Sequence, residues 1–95
     1  MGEESKIAGE ITDWMGRETR EQVDALFRSY GVTGEIWAAR PLARDEVLFL
    51  LAPEDALSSE RDHELSVALG NLLDRKIGIA AKLPQFSREN RVPLL

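Results

Sequence analysis

The sequence contains no cysteine and a single histidine. The first absence excludes disulfides, thiolate metal sites and a cysteine nucleophile. The second leaves any transition-metal site without the His and Cys donors it needs. Aromatic residues are also scarce, at 6%. No apolar run approaches the ~20 residues that span a bilayer. The opening Met1-Gly2-Glu3-Glu4-Ser5-Lys6 is too acidic for a signal peptide, and Lys6 stands where a myristoylation pattern needs Ser or Thr. There is no low-complexity tract, internal repeat or linker. The cytoplasm is the expected compartment, and neither a membrane, a metal nor a cofactor is expected.

What remains is an ordinary globular composition: 95 residues, 43% hydrophobic and 31% charged, enough for one domain with one modest core. The expected organisation is a single domain over residues 1–95, with residues 1–16 a helical extension and 17–95 an α/β core. The net charge of −5 argues against a general nucleic-acid binder, which needs a basic face. The charge is uneven. Residues 1–74 hold 16 acids and 7 bases, a balance of −9, whereas residues 75–95 hold five bases against Glu89 alone, a balance of +4. A basic tail on an acidic body points to pairing with that body or with another protein chain.

Hydrophobic spacing sets out the elements. Ile7, Ile11, Trp14 and Met15 form one helical stripe. Thr19 and Gln22 read as a capping box ahead of a second stripe, Val23, Leu26, Phe27 and Tyr30, with Gly31 where a helix ends. Ile36 to Ala39 is a strand that Arg40-Pro41 closes. Val47 to Leu51 is apolar at every position, which predicts a central strand covered on both sides. Ser58 or Ser59 caps a helix with the stripe Leu65, Ala68, Leu69, Leu72 and Leu73, closed by Arg75-Lys76. Ile77 to Ala81 is a third strand, parallel to the second by way of that crossover helix. The expected fold class is therefore α/β (α+β). A small three-stranded mixed sheet in the order helix-strand-strand-helix-strand follows N-terminal helices and precedes an irregular or helical tail.

The residues that could carry chemistry are few. The acidic pairs Asp45-Glu46 and Glu54-Asp55 bracket the central strand. At about 3.3 Å per residue they stand some 20 Å apart, so they cannot share a two-metal centre, where the ions are ~4 Å apart. They read as the solvated ends of a strand. His63 falls on the polar side of its helix. Ser58, Ser59 and Ser66 near it lack the elbow turn and oxyanion loop of a nucleophilic triad. Gly31-Val32-Thr33-Gly34 has no following helix and makes no phosphate cradle. Trp14 and Trp37 read as core or interface anchors, and Val92 to Leu95 as an apolar end that packs back or docks on a partner.

Two phrases carry a family likeness. Leu26-Phe27-Arg28-Ser29-Tyr30-Gly31-Val32 before a strand resembles the opening of minimal nucleotidyltransferase-fold proteins, the polymerase-beta-like domains of toxin–antitoxin pairs. Leu72-Leu73-Asp74-Arg75-Lys76-Ile77-Gly78-Ile79 resembles that family's Leu-Leu-Gly-Arg-Lys-Val-Asp-Leu phrase. The likeness runs over residues 24–95, and it implies a C-terminal helix containing Ser87, Arg88 and Arg91. It also implies a phosphate-holding Gly-Ser turn and three metal-binding carboxylates, and here the sequence departs. Ala38-Ala39 stand at the turn, Asp45 matches the first carboxylate, and Val47 and Gly78 occupy the other two. Two-metal phosphoryl transfer needs those carboxylates, so the likeness implies a degenerate, non-catalytic member.

The resulting expectation is a non-catalytic protein-interaction module acting through homo- or hetero-association, with Trp37, Arg40, Phe86, Arg88 and Leu95 as contact residues. Two alternatives stand beside it. One is a Mg²⁺-dependent nucleotidyltransferase using Asp45, Glu46 and Arg40, and the other is a small nucleic-acid module using the basic residues 75–91.

Overall fold

The computed structural model of the chain describes residues 15–40 and 45–95. The helix expected over 7–15 lies, Met15 apart, outside the described residues.

The first described helix, α1 (Arg17–Ser29), buries Val23 and Phe27. Its exposed side carries the i,i+4 pairs Arg17–Glu21 and Asp24–Arg28, both at 3.1 Å. It starts earlier than the Thr19/Gln22 box predicts. Gly16 holds the N-cap position, and the Arg20 amide donates to its carbonyl at 2.9 Å, which places Thr19 inside the helix. The other end matches the sequence. Gly31 takes φ +96°, the Gly31 amide donates to the Arg28 carbonyl and the Val32 amide to the Phe27 carbonyl. Those two bonds make a Schellman ending, and the buried Val32 supplies its apolar contact.

Strands β1 (Ile36–Ala39) and β2 (Glu46–Leu51) pair antiparallel, with Trp37 opposite Leu50. A short 3₁₀ turn, Pro53–Asp55, leads to α2 (Ser59–Leu73). Ser58 caps that helix, its hydroxyl accepting from the Arg61 amide at 3.3 Å. Asp74 ends it in the left-handed conformation at φ 57°, and Arg75 donates to the Leu73 and Asp74 carbonyls. Strand β3 (Lys76–Ala80) then runs parallel to β2, with Leu48 opposite Gly78.

One correction concerns the sheet. It has four strands, in the order β3-β2-β1-β4, because Arg91–Pro93 forms β4 antiparallel to β1. The residues between β3 and β4 make two 3₁₀ turns, Leu83–Gln85 and Arg88–Asn90, in place of the C-terminal helix that the family likeness implies. Three residues including a proline are too few to announce a strand by periodicity. β4 forms because Val92 and Leu94 find the helix-covered core.

Both helices cover one face of the sheet. Ile36, Ala38, Val47, Phe49, Leu51, Val92 and Leu94 meet Val23 and Phe27 from α1 and Leu65, Leu69 and Leu73 from α2. Phe27 and Phe49 meet edge to face, with centroids 5.2 Å apart and planes at 71°. Each fully buried side chain of this size contributes about 1.5–3 kcal/mol. Strand alternation turns Trp37, Ala39, Leu48, Leu50, Gly78, Ala80, Arg91 and Pro93 to the opposite face, which neither α1 nor α2 covers.

Candidate interaction surface

The face opposite α1 and α2 is organised around Trp37. Its indole Nε1 donates to Glu35 Oε1 at 3.1 Å, two residues back on the same side of β1. The Arg91 guanidinium lies over the ring at 4.4 Å. Register explains the approach: Arg91 sits opposite Ala39, whose methyl leaves room for the long side chain to reach the neighbouring indole. Arg91 Nη1 also donates to the carbonyls of Leu83 and Phe86, at 3.0 and 2.9 Å. One side chain thus binds the 3₁₀ segment to the sheet and stacks on its aromatic, with charge delocalised over a planar group suited to both tasks.

Beside Trp37 opens a cleft of about 160 Å³ between α1, the start of β1 and the end of β4. Buried Ile36 and Leu94 line it, joined by the Leu94 amide donating to the Ile36 carbonyl at 3.0 Å. Trp37, Pro93 and Leu95 form one wall, and Leu95 is 57% exposed. Asp24, Arg28 and Glu35 bring charge to the lining. Arg28 is engaged by Asp24 and by the carbonyls of Val32 and Gly34, the latter at 2.6 Å.

The expected contact residues are only partly brought together. Trp37 and Leu95 share the cleft. Phe86 is half-buried and joins Trp37 through Arg91. Arg40 and Arg88 lie elsewhere. Arg40 ends β1 on the side away from the cleft, its amide donating to the Asn90 carbonyl at 2.8 Å, and Arg88 is exposed in the neighbouring 3₁₀ turn. Pro93, Arg91 and Glu35 belong to the surface without having been expected there. The alternation Arg91, Val92, Pro93, Leu94 is the signal for the first two.

The acidic bracket needs a second correction. Asp45, Glu46 and Glu54 are exposed, but Asp55 is buried at 8% exposure. Its carboxylate accepts the Thr33 and Gly34 amides at 3.2 and 2.9 Å and the Thr33 hydroxyl at 3.3 Å, tying the turn after β2 to the turn before β1. The Thr33 amide bond chiefly holds its pKa below the ordinary 3.8, aided by Gly34 and by the charge of Arg28 against the opposing effect of burial.

Val47, aligned by the family likeness with a metal-binding carboxylate, is buried among the core residues, while Gly78 lies on the other face beneath Leu48. The outward position beside Val47 is Glu46, paired in register with Lys76. Among the described residues no three His, Asp or Glu side chains gather as a metal-ligand group, and no helix is long and apolar enough to cross a membrane. No family model, curated protein or solved structure matches the chain.

Proposed function

We propose that the chain is a non-catalytic protein-association module, built on a scaffold akin to the nucleotidyltransferase fold, whose cleft beside Trp37 receives one apolar side chain of a partner protein. The observation that carries this reading is the joint presence of a braced, half-buried tryptophan and the exposed Leu95 in the lining of one open cleft. A rigid aromatic beside a shallow apolar recess is the arrangement on which binding energy concentrates in protein interfaces. The chemistry of the lining selects the flanks of the partner segment. Arg28 is already neutralised by Asp24, whereas among the described residues Glu35 meets only the indole N–H, so basic residues beside the apolar anchor are favoured.

Selection of displayed random peptides on the immobilised chain tests the reading. The expected consensus is one large apolar residue flanked by Lys or Arg. Binding should quench Trp37 fluorescence in a Trp14→Phe background, and Trp37→Ala or Leu95→Asp should weaken it by about tenfold or more. Peptides retained equally well by both variants would remove the cleft from consideration.

A further inference from the structure

The two edges of the sheet are built differently. At β4, the Leu94 amide donates to Ile36 and the Asn90 carbonyl accepts from Arg40. Alternation along an antiparallel ladder then turns the backbone groups of residues 91 and 93 outward, and Pro93 has no N–H to offer. That edge is blunted. At β3, the Lys76 amide donates to the Asp45 carbonyl. The parallel pattern continues with residues 78 and 80 facing β2, which leaves the N–H and C=O groups of Ile77 and Ile79 pointing away from the sheet. No other described strand pairs with β3 there. Lys76-Ile77-Gly78-Ile79-Ala80 has no proline, and its only charge lies at its start. Among the described residues, none of the usual devices for protecting an edge is present along its middle.

The helix above this edge points the same way. On α2, Arg61 lies over the Tyr30 ring at 5.5 Å and so marks the flank facing α1. Gly70 lies on the other flank, where an added Cβ would stand 3.9 Å from Ile77. Val67, one turn earlier on that flank, is 50% exposed. An apolar side chain thus stands on the side of the free edge.

We infer that β3 pairs antiparallel with β3 of a second copy about a two-fold axis at Gly78, joining two four-stranded sheets into one. The register is self-complementary. Ile77 of each chain faces the second copy's Ile79, both with outward backbone groups, so each pair exchanges both hydrogen bonds. Gly78 meets its own equivalent on the face opposite α1 and α2, where neither presents a side chain. At the ends of the paired segment, the exposed Lys76 of each chain falls opposite the second copy's Ala80, so the two ammonium groups stand at opposite ends of the seam. A parallel arrangement would set like charges side by side, so charge selects the antiparallel dimer. This edge is distinct from the Trp37 cleft and does not depend on it.

Sedimentation equilibrium and amide hydrogen exchange on the full chain test the inference. The chain should sediment as a dimer at about 100 µM, with a Kd of roughly 10 µM as fits a small interface. The Ile77 and Ile79 amides, which have no acceptor within the sheet of one chain, should be protected at high concentration and exchange rapidly on dilution. Ala80→Lys would set a second ammonium group opposite Lys76 of the second copy, and it should weaken the dimer about tenfold at an unchanged far-ultraviolet spectrum while peptide binding at the cleft persists. A strict monomer at that concentration, or a dimer whose Ile77 and Ile79 amides exchange freely, would overturn it.

Discussion

Asp55 and Gly34 stand so close that residue 34 has no room for a side chain. The Gly34 amide donates to Asp55 Oδ2 at 2.9 Å, and a Cβ on residue 34 would lie 2.8 Å from that same oxygen. The carboxylate is fixed there by Thr33 as well, so it has no free direction in which to retreat. The contact links the two turns that flank the β1–β2 pair.

Gly34→Ala should therefore destabilise the fold by about 1–3 kcal/mol, the range for overpacking a fixed site. Gly34 does not adopt a positive φ, so the cost is the collision and not the backbone. A double-mutant cycle with Asp55→Ala separates the two, since removing the carboxylate removes the clash. The combined loss, measured by chemical denaturation, should be clearly smaller than the sum of the single losses. Full additivity would mean that the contact is not the cause.

The same carboxylate gives the fold a pH dependence of known sign. Its folded-state pKa is lowered, so the native state releases this proton more readily than the unfolded chain does. The stabilisation is fully present above the ordinary carboxylate pKa, and it fades as pH falls from about 4 through the lower folded value. Asp55→Asn should cost about 1–3 kcal/mol at neutral pH, because an amide cannot accept all three donors. Its Tm should also fall less steeply than that of the native sequence between about pH 4 and pH 2. Parallel pH profiles for the two chains would contradict the assignment.

Arg91 holds the segment between β3 and β4 through the carbonyls of Leu83 and Phe86 while it covers Trp37. Lysine keeps the charge but has neither the planar face nor the fork. Arg91→Lys should cost about 1 kcal/mol, shift the emission of Trp37 in a Trp14→Phe background, and speed tryptic cleavage after Lys82 several-fold. An unchanged cleavage rate would show that the segment is held by other contacts.

Much of the fold was readable because local pattern and global packing agree. Ile36–Ala39 and the uninterrupted apolar run of β2 announced their strands. Ser58 marked the start of α2, and Gly31 the end of α1. The start of α1 is hidden because Thr19 and Gln22 satisfy the capping pattern by composition, while the backbone has already turned at Gly16. β4 was hidden for another reason. It is specified by a partner strand far away along the sequence and by a core that two helices complete, neither of which a short window contains. The candidate surface is half legible in the sequence. Trp37 and Leu95 attract notice by size and position, but only register reveals that Arg91 reaches the indole. Asp55 reads in the sequence as a wet strand end because its donors are backbone amides from another turn, which leave no trace in residue type.

The position of β4 also governs how the molecule assembles. β1 and β2 are close neighbours along the chain and β2 meets β3 through α2, so three strands can zip together from short-range encounters. β4 must close a far larger loop before it gains anything, and it should therefore dock late. Until it does, one side of β1 stays bare and Trp37 stands without its guanidinium cover. The slowest change in tryptophan signal during refolding should report the arrival of Arg91.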